Sequence, residues 1–254
     1  MGSQMPDGDR STRSRGNPVP PALVEPDWDA YAQSRSASRR RWLGLHHRMV
    51  TAAFVDFVRD LPLDLRVLDA GCGDEFFLGI LRDLGFTNVI GVDVSEIRVK
   101  ACRDRGLDAR CLPVEQCADL GAFDLVLLMD VLEHVPDPAV ALRAVHQALT
   151  PGGTLYLNVP VCDSFRLRLD RVLKRRTRLQ QSMAWDETHR HAWSARELNK
   201  MAGKAGFALG RGSHYSNRPL FPRRLSAAIA DFLQGITFGG RFGDLYSAAY
   251  RARR

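Results

Sequence analysis

The sequence has no apolar run of the roughly 18 residues that a bilayer-spanning helix needs, and no apolar stretch near its start that resembles a signal peptide. Its five cysteines (Cys72, Cys102, Cys111, Cys117 and Cys162) are odd in number and never paired as CxxC. Neither a disulfide framework nor a structural zinc site is expected, and a reduced, cytoplasmic setting is. With no HExxH, cysteine cluster or ladder of carboxylates, no metal is expected either. Acidic residues are the minority charge, 29 against 36 Lys and Arg, for a net +7. That imbalance suits an anionic partner, whether nucleic acid, membrane surface or phosphorylated substrate, without choosing among them. No internal repeat is visible.

What is present is enough apolar material for one large domain: 45% of 254 residues are hydrophobic. Residues 1–26, rich in Gly, Ser, Pro, Asp and Arg, read as a disordered tail, and 27–254 as the domain. A helix is predicted over roughly 37–60, where Leu43, Val50, Phe54 and Phe57 recur at helical spacing. Short apolar runs then alternate with helices. Strands are predicted at Arg66–Ala70, Val89–Val94, Ala109–Leu112, Phe123–Met129 and Thr154–Val159. Helices fall at 77–84, Ile97–Arg105 and Ala139–Leu149 between them. Such alternation argues for a parallel sheet covered on both faces. Residues 161–193 interrupt the pattern as a basic insertion. Ser194-Ala195-Arg196-Glu197 then reads as a capping box that starts a further helix. Strands are predicted again at Phe207–Gly210 and Leu245–Arg253, on either side of a second insertion at 218–243.

The run Val67-Leu68-Asp69-Ala70-Gly71-Cys72-Gly73 is a strand entering a glycine turn before a helix. Glycines permit the tight turn and a close approach of ligand to backbone, and the helix start offers N–H groups to an anion. Asp93 follows Gly71 by 22 residues, at the tip of the next strand, where a carboxylate can accept both hydroxyls of a ribose. A nicotinamide-binding fold shares these features, but its third glycine would fall at Phe76.

The continuation, Phe123-Asp124-Leu125-Val126, Asp130-Val131-Leu132-Glu133-His134 and Leu149-Thr150-Pro151-Gly152-Gly153, resembles the class I S-adenosylmethionine-dependent methyltransferases. Among them it is most similar to the small-molecule type that includes quinone and glycan-related enzymes. The resemblance covers residues 60–160 closely and His189–Phe207 more loosely. It implies a Rossmann-like, doubly wound α/β fold whose seven-stranded, mostly parallel sheet has an antiparallel last strand. It implies S-adenosyl-L-methionine as cofactor, with Asp69, Gly71 and Gly73 around the methionine part, and with Cys72 and Val94 also among the residues that bind it. Asp93 would hold the ribose, Val114 would lie by the adenine, and Met129 and Asp130 by the sulfonium. Two positions depart from the family pattern: Glu75 stands where a third glycine is usual, and Pro113 where an acid near the adenine amine is usual.

His134 ends its motif at the open edge of the sheet, either as a general base or as a residue that only shapes the pocket. His189 and His191 would share one side of an extended segment, to touch the acceptor or to hold a lid over it. Residues 165–178 carry seven basic side chains, including Arg171 and Lys174, around the apolar Leu169, Val172 and Leu173. This is a solvated face, or a surface for an anionic membrane or a phosphorylated substrate. Without interleaved aromatics, and without an Asn/Asp-Pro-Pro-Tyr/Phe strand exit, nucleic acid is the weaker reading. The stripe Phe221, Leu225, Ile229, Phe232 and Ile236 suits core burial or a homodimer contact. The reading is therefore a methyltransferase for an oxygen or nitrogen of a small-molecule, glycan or lipid-linked acceptor, with peripheral membrane contact in view. The competing readings are a methyltransferase-like binding protein with a weakened cofactor site and a nucleic-acid methyltransferase.

Overall fold

The computed structural model describes Asp27, Asp29 and residues 45–162, 165–174, 177–183, 186–215 and 245–253. The expected tail at 1–26, the start of the first helix and the insertion at 218–243 lie outside the described residues. The elements run α1 (Leu45–Val58), β1 (Arg66–Ala70), α2 (Phe76–Asp83), β2 (Asn88–Asp93), α3 (Glu96–Asp104) and β3 (Ala109–Cys111). A 3₁₀ helix (Val114–Leu120) then precedes β4 (Phe123–Met129), α4 (Pro138–Ala148) and β5 (Leu149–Pro160). The insertion holds α5 (Phe165–Lys174) and α6 (Arg178–Met183), before α7 (Ala195–Lys204), β6 (Phe207–Tyr215) and β7 (Leu245–Ala252).

One seven-stranded sheet has the order β3-β2-β1-β4-β5-β7-β6. The pairs among β1 to β5 are parallel, and β7 runs antiparallel to both β5 and β6. The expected doubly wound sheet with an antiparallel last strand is what forms. Its two faces follow from the two-residue period of a strand. Leu68, Ala70, Val126, Leu128, Leu155 and Leu157 pack toward α4, α7 and the 3₁₀ helix. Val67, Leu125, Leu127, Met129 and Tyr156 point the other way, onto α1 and α2. Because both faces are covered, the central strands read as nearly continuous apolar runs.

Three of the helices, α3, α4 and α7, start at a residue whose side chain caps them. Asp137 accepts the N–H groups of Ala139 and Val140 ahead of Pro138, which suits a first helical position. The capping box at Ser194 and Glu197 forms as expected. Three features differ from the sequence expectation. The strand after α4 begins at Leu149 and runs through Pro151-Gly152-Gly153, where β4 and β5 shift register and Gly152 takes φ +79°. β6 extends to Tyr215 because β7 pairs along its whole length. The 3₁₀ helix was not foreseen, since seven residues carry too little periodicity to mark it.

α1 is fastened by Phe54, fully buried with its ring 5.1 Å from Phe77 and 5.7 Å from Tyr156. Phe54→Ala is expected to destabilise the fold by about 3–5 kcal/mol in urea unfolding, the range for emptying a buried aromatic site. Leu63→Ser, at a residue 46% exposed, should change stability by no more than about 0.5 kcal/mol. Equal losses from the two would mean that α1 is not docked as described.

Candidate active site

Strand order reverses between β1 and β4, so the cleft at their carboxyl ends is the place where such sheets bind ligands. Gly71 leaves β1 at φ +88°, and the N–H groups of Gly71 and Cys72 both donate to Val92 O, at 2.7 and 2.9 Å. A Cβ on Gly71 would lie 2.2 Å from Val131 Cγ2, so the absence of a side chain here admits the loop after β4. A Cβ on Gly73 would meet only Arg98 Nη1, at an ordinary 3.7 Å, so it is φ +55° that favours glycine there. The Cys72 side chain turns inward, packing with Leu78, Val99 and Cys102. Gly91 makes room for it, since a Cβ there would come within 2.8 Å of its Sγ. The turn thus offers backbone, not a thiol, to a ligand.

Asp93 ends β2 nearly buried. Its Oδ2 accepts Gly73 N–H at 2.9 Å and its Oδ1 accepts Ser95 N–H at 2.9 Å. Each carboxylate oxygen has a second lone pair, so room for two hydroxyl donors remains. Arg98 stands alongside, 3.9 Å from Asp93 and 3.6 Å from Asp74. Ser95 also donates to Asp29 at 2.5 Å, which ties the segment ahead of α1 to the start of α3. Neither Arg98 nor Asp29 carries a sequence signal for this place. Val94 is 43% exposed and Ile97 40%, an apolar rim beside Asp93 fit for a flat base.

Asp69 is fully buried, and neither carboxylate oxygen has a hydrogen-bond partner. Desolvation, with a smaller contribution from the Asp93 charge, pushes its pKa up to about 7. Such a group calls for a cation or a donor from outside the chain. Glu75 is nearly buried at φ +70° and pairs with Arg105 at the end of α3. The acid in the glycine position thus adopts a glycine-like backbone, and its charge is engaged within the chain.

Beyond β4, Asp130 takes φ +56°, and its Oδ1 accepts from Asn158 Nδ2 at 2.6 Å. Met129 packs in the layer under α1, and Val114 in the layer on the opposite face. Among the described residues, Glu133, His134 and His189 bring their ligand atoms within 4.8 Å of one another, a group that sequence spacing did not reveal. Burial raises the pKa of Glu133 well above the carboxylate range, with the Asp130 charge adding to it, and its Oε2 has no partner. Burial and the proximity of His189 push His134 down to about 4, so its imidazole is neutral at physiological pH. Thr188 holds His134 Nδ1 at 3.0 Å while donating to Asp186 at 2.6 Å, and Ser182 holds His189 Nδ1 at 2.7 Å. His191 bonds Val135 O through Nε2 at 2.9 Å and stacks on Trp193, 5.4 Å between centroids. The main chain joins in, because Glu133 O accepts the N–H groups of Arg190 and His191. Residues 186–193 are therefore laced to the loop after β4, the loop that borders the cleft.

Residues 36–210 match the family model described as a methyltransferase domain. The chain belongs to the methyltransferase family. Ubiquinone biosynthesis O-methyltransferases are among its relatives. That of Idiomarina loihiensis is 33% identical over 117 residues, covering 43% of this chain and 48% of the relative. That of Pseudomonas aeruginosa is 38% identical over 101 residues, covering 37% and 43%. The chain thus spans under half the length of these curated relatives. Solved SAM-dependent methyltransferases share the fold. One from Archaeoglobus fulgidus has TM-score 0.58 at 16% identity, covering 80% of this chain and 93% of that one. One from Mesorhizobium loti has TM-score 0.53 at 20% identity, covering 75% and 93%. Family membership makes S-adenosyl-L-methionine the cofactor, and the residues fit it. Asp93 suits the ribose, the Val94 rim the adenine, and the orphaned Asp69 the ammonium of the methionine part.

Protonated Asp69 cannot neutralise an ammonium, so S-adenosylhomocysteine affinity in calorimetric titration should rise as pH climbs through about 7. Asp69→Asn should flatten that rise. Without cofactor the sign reverses. A buried carboxyl with a raised pKa binds more protons in the folded state, so stability falls between about pH 4 and 7. The loss ascribed to Asp69 is about 4 kcal/mol, read as the difference between parent and Asp69→Asn in urea unfolding. Parallel pH curves for the two proteins would refute the assignment.

Proposed function

We propose that this methyltransferase moves the methyl group of S-adenosylmethionine to an oxygen of a small, hydroxylated acceptor of lipid-linked type. The observation that carries the reading is the unpartnered Asp69, buried beside Asp93 at the strand reversal. The relatives named for ubiquinone biosynthesis support an oxygen acceptor on a quinone precursor. The cofactor's sulfonium supplies an activated methyl group, so the chain need only bind, align and shield. Asp93 and Asp69 fix two ends of the cofactor, and Val94 packs on its base. Residues 186–193 cover the side of the cleft next to β4 and keep water from it. His134, neutral and steadied by Thr188, is the group in reach of that side that can accept a proton from a hydroxyl.

An anionic membrane surface would present such an acceptor. On α5, Val172 is 75% and Leu173 73% exposed, beside the exposed Lys174, while Leu167 is buried. Arg171 donates to Cys162 O at 2.5 Å and so ties this helix to the end of β5. Two large apolar side chains facing solvent among cations suit insertion into the headgroup layer. No helix of the described residues is long and apolar enough to cross a membrane.

Transfer of labelled methyl from S-adenosylmethionine to a prenylated catechol tests the reaction, and no transfer to any hydroxylated quinone precursor would overturn the acceptor class. Asp93→Ala should weaken cofactor binding by about 1.5–3 kcal/mol, the scale of hydrogen bonds to a charged group; an unchanged dissociation constant would remove Asp93 from the site. Replacing both Val172 and Leu173 by serine should lower co-sedimentation with phosphatidylglycerol vesicles and leave cofactor affinity unchanged. Undiminished sedimentation would make α5 a solvated face.

A further inference from the structure

A line of buried polar side chains crosses the sheet from β7 to the cleft. Met129 and Asn158 are register partners in β4 and β5, and Asn158 and Ser247 are partners in β5 and β7. Asn158 is fully buried and Ser247 is 4% exposed. Ser247 Oγ–H donates to Asn158 Oδ1 at 2.7 Å, and Asn158 Nδ2 donates to Asp130 Oδ1 at 2.6 Å. The main chain of Asn158 also takes part, because Asp130 N–H donates to Asn158 O at 2.9 Å. Asp130 is therefore gripped twice by one residue, at its backbone and at its carboxylate, and in a left-handed conformation uncommon for a residue with a side chain.

Fold stability does not call for this arrangement. On the same face these strands otherwise bury Met129, Tyr156 and Leu245. An apolar pair at 158 and 247 would spare the cost of desolvating two polar groups. Asp130 does not lie deep in the core. It is half-buried, directly before Val131, whose methyl group fills the space left by Gly71. The bonds thus end on a negative charge held at the strand reversal, across the glycine turn from Asp69 and Asp93. S-adenosylmethionine carries a positive sulfonium that its demethylated product lacks, and a fixed carboxylate on this side distinguishes the two.

We propose that Asn158 and Ser247 are positioning residues that hold the Asp130 carboxylate at the cleft, where it favours the charged cofactor over the neutral product S-adenosylhomocysteine. The inference rests on the cofactor reading above and adds to it a means of product release. It assigns a function to β7 at the site, although β7 contributes no residue to the cleft by itself.

The test is calorimetric titration of S-adenosylmethionine and of S-adenosylhomocysteine, separately, into the parent protein and its variants. Asp130→Asn and Asn158→Leu should each lower the ratio of the product's dissociation constant to the cofactor's by about three- to tenfold, as loss of one charge-assisted contact implies. Product affinity should stay within about twofold, since the neutral ligand gains little from the carboxylate. Ser247→Ala should shift the ratio part of the way, and Ser247→Thr, which keeps the hydroxyl, should restore it. A folded Asn158→Leu protein, by near-ultraviolet circular dichroism, that keeps the parent ratio overturns the proposal. So does one that weakens both ligands equally, because that is the mark of a purely structural role. If Asn158→Leu fails to fold, the Ser247→Ala and Ser247→Thr pair decides by the same ratio. A parent that binds neither ligand overturns the cofactor reading itself, whereas a parent that binds both with a ratio unmoved by Asp130→Asn overturns only this inference.

Discussion

The site depends on one close contact, the Val131 side chain lying where a Cβ of residue 71 would be. A parallel sheet with reversing strand order leaves a crevice between two central strands, but the crevice by itself has no chemistry. Here the turn after β1 and the loop after β4 are pressed together because one of them has no side chain to hold them apart. Asp69 and Asp93 fall on one side of that contact, and Asp130, Glu133 and His134 on the other. A larger residue at 71 would therefore disturb both halves of the cleft together.

The carboxylates near the reversal differ in how they are satisfied. Asp93 accepts two backbone N–H groups and Asp130 an asparagine amide, whereas Asp69 has no partner and Glu133 has one oxygen without any. Burying a carboxyl in this way opposes folding and raises its proton affinity, as it does for both Asp69 and Glu133. Proteins keep such costs where function needs them. The distribution separates groups that shape the chain from groups that await a ligand.

Much of this was legible in the sequence. Central strands announce themselves as short apolar runs between glycines, and both Asp93 and the capping box at Ser194 are local patterns with fixed spacing. The parts that were not legible depend on long-range register or on conformation. Ser247 and Asn158 meet across 89 positions, and Thr188 and His134 across 54. Nothing in Leu157-Asn158-Val159 shows that its amide faces a carboxylate just past the end of a neighbouring strand. Glu75 stands where a glycine is usual, and its left-handed backbone and its pairing with Arg105 are tertiary facts that the departure alone does not show. Pro151-Gly152-Gly153 lies ahead of the predicted fifth strand, and in the fold it is the irregularity between the pairings of Leu149 with Phe123 and of Thr154 with Leu125, which only the partner strand defines.

The lacing of residues 186–193 onto the loop after β4 relies in part on main-chain atoms, with Glu133 O accepting from two successive N–H groups. Bonds of that kind do not depend on which side chains the segment carries. Exposed positions such as Glu187 can therefore drift without undocking the segment from the cofactor cleft. On the proposed function, that separation of anchorage from recognition gives an evolutionary freedom: one acceptor can be exchanged for another by point substitution in residues 186–193 while the loop beneath stays as it is.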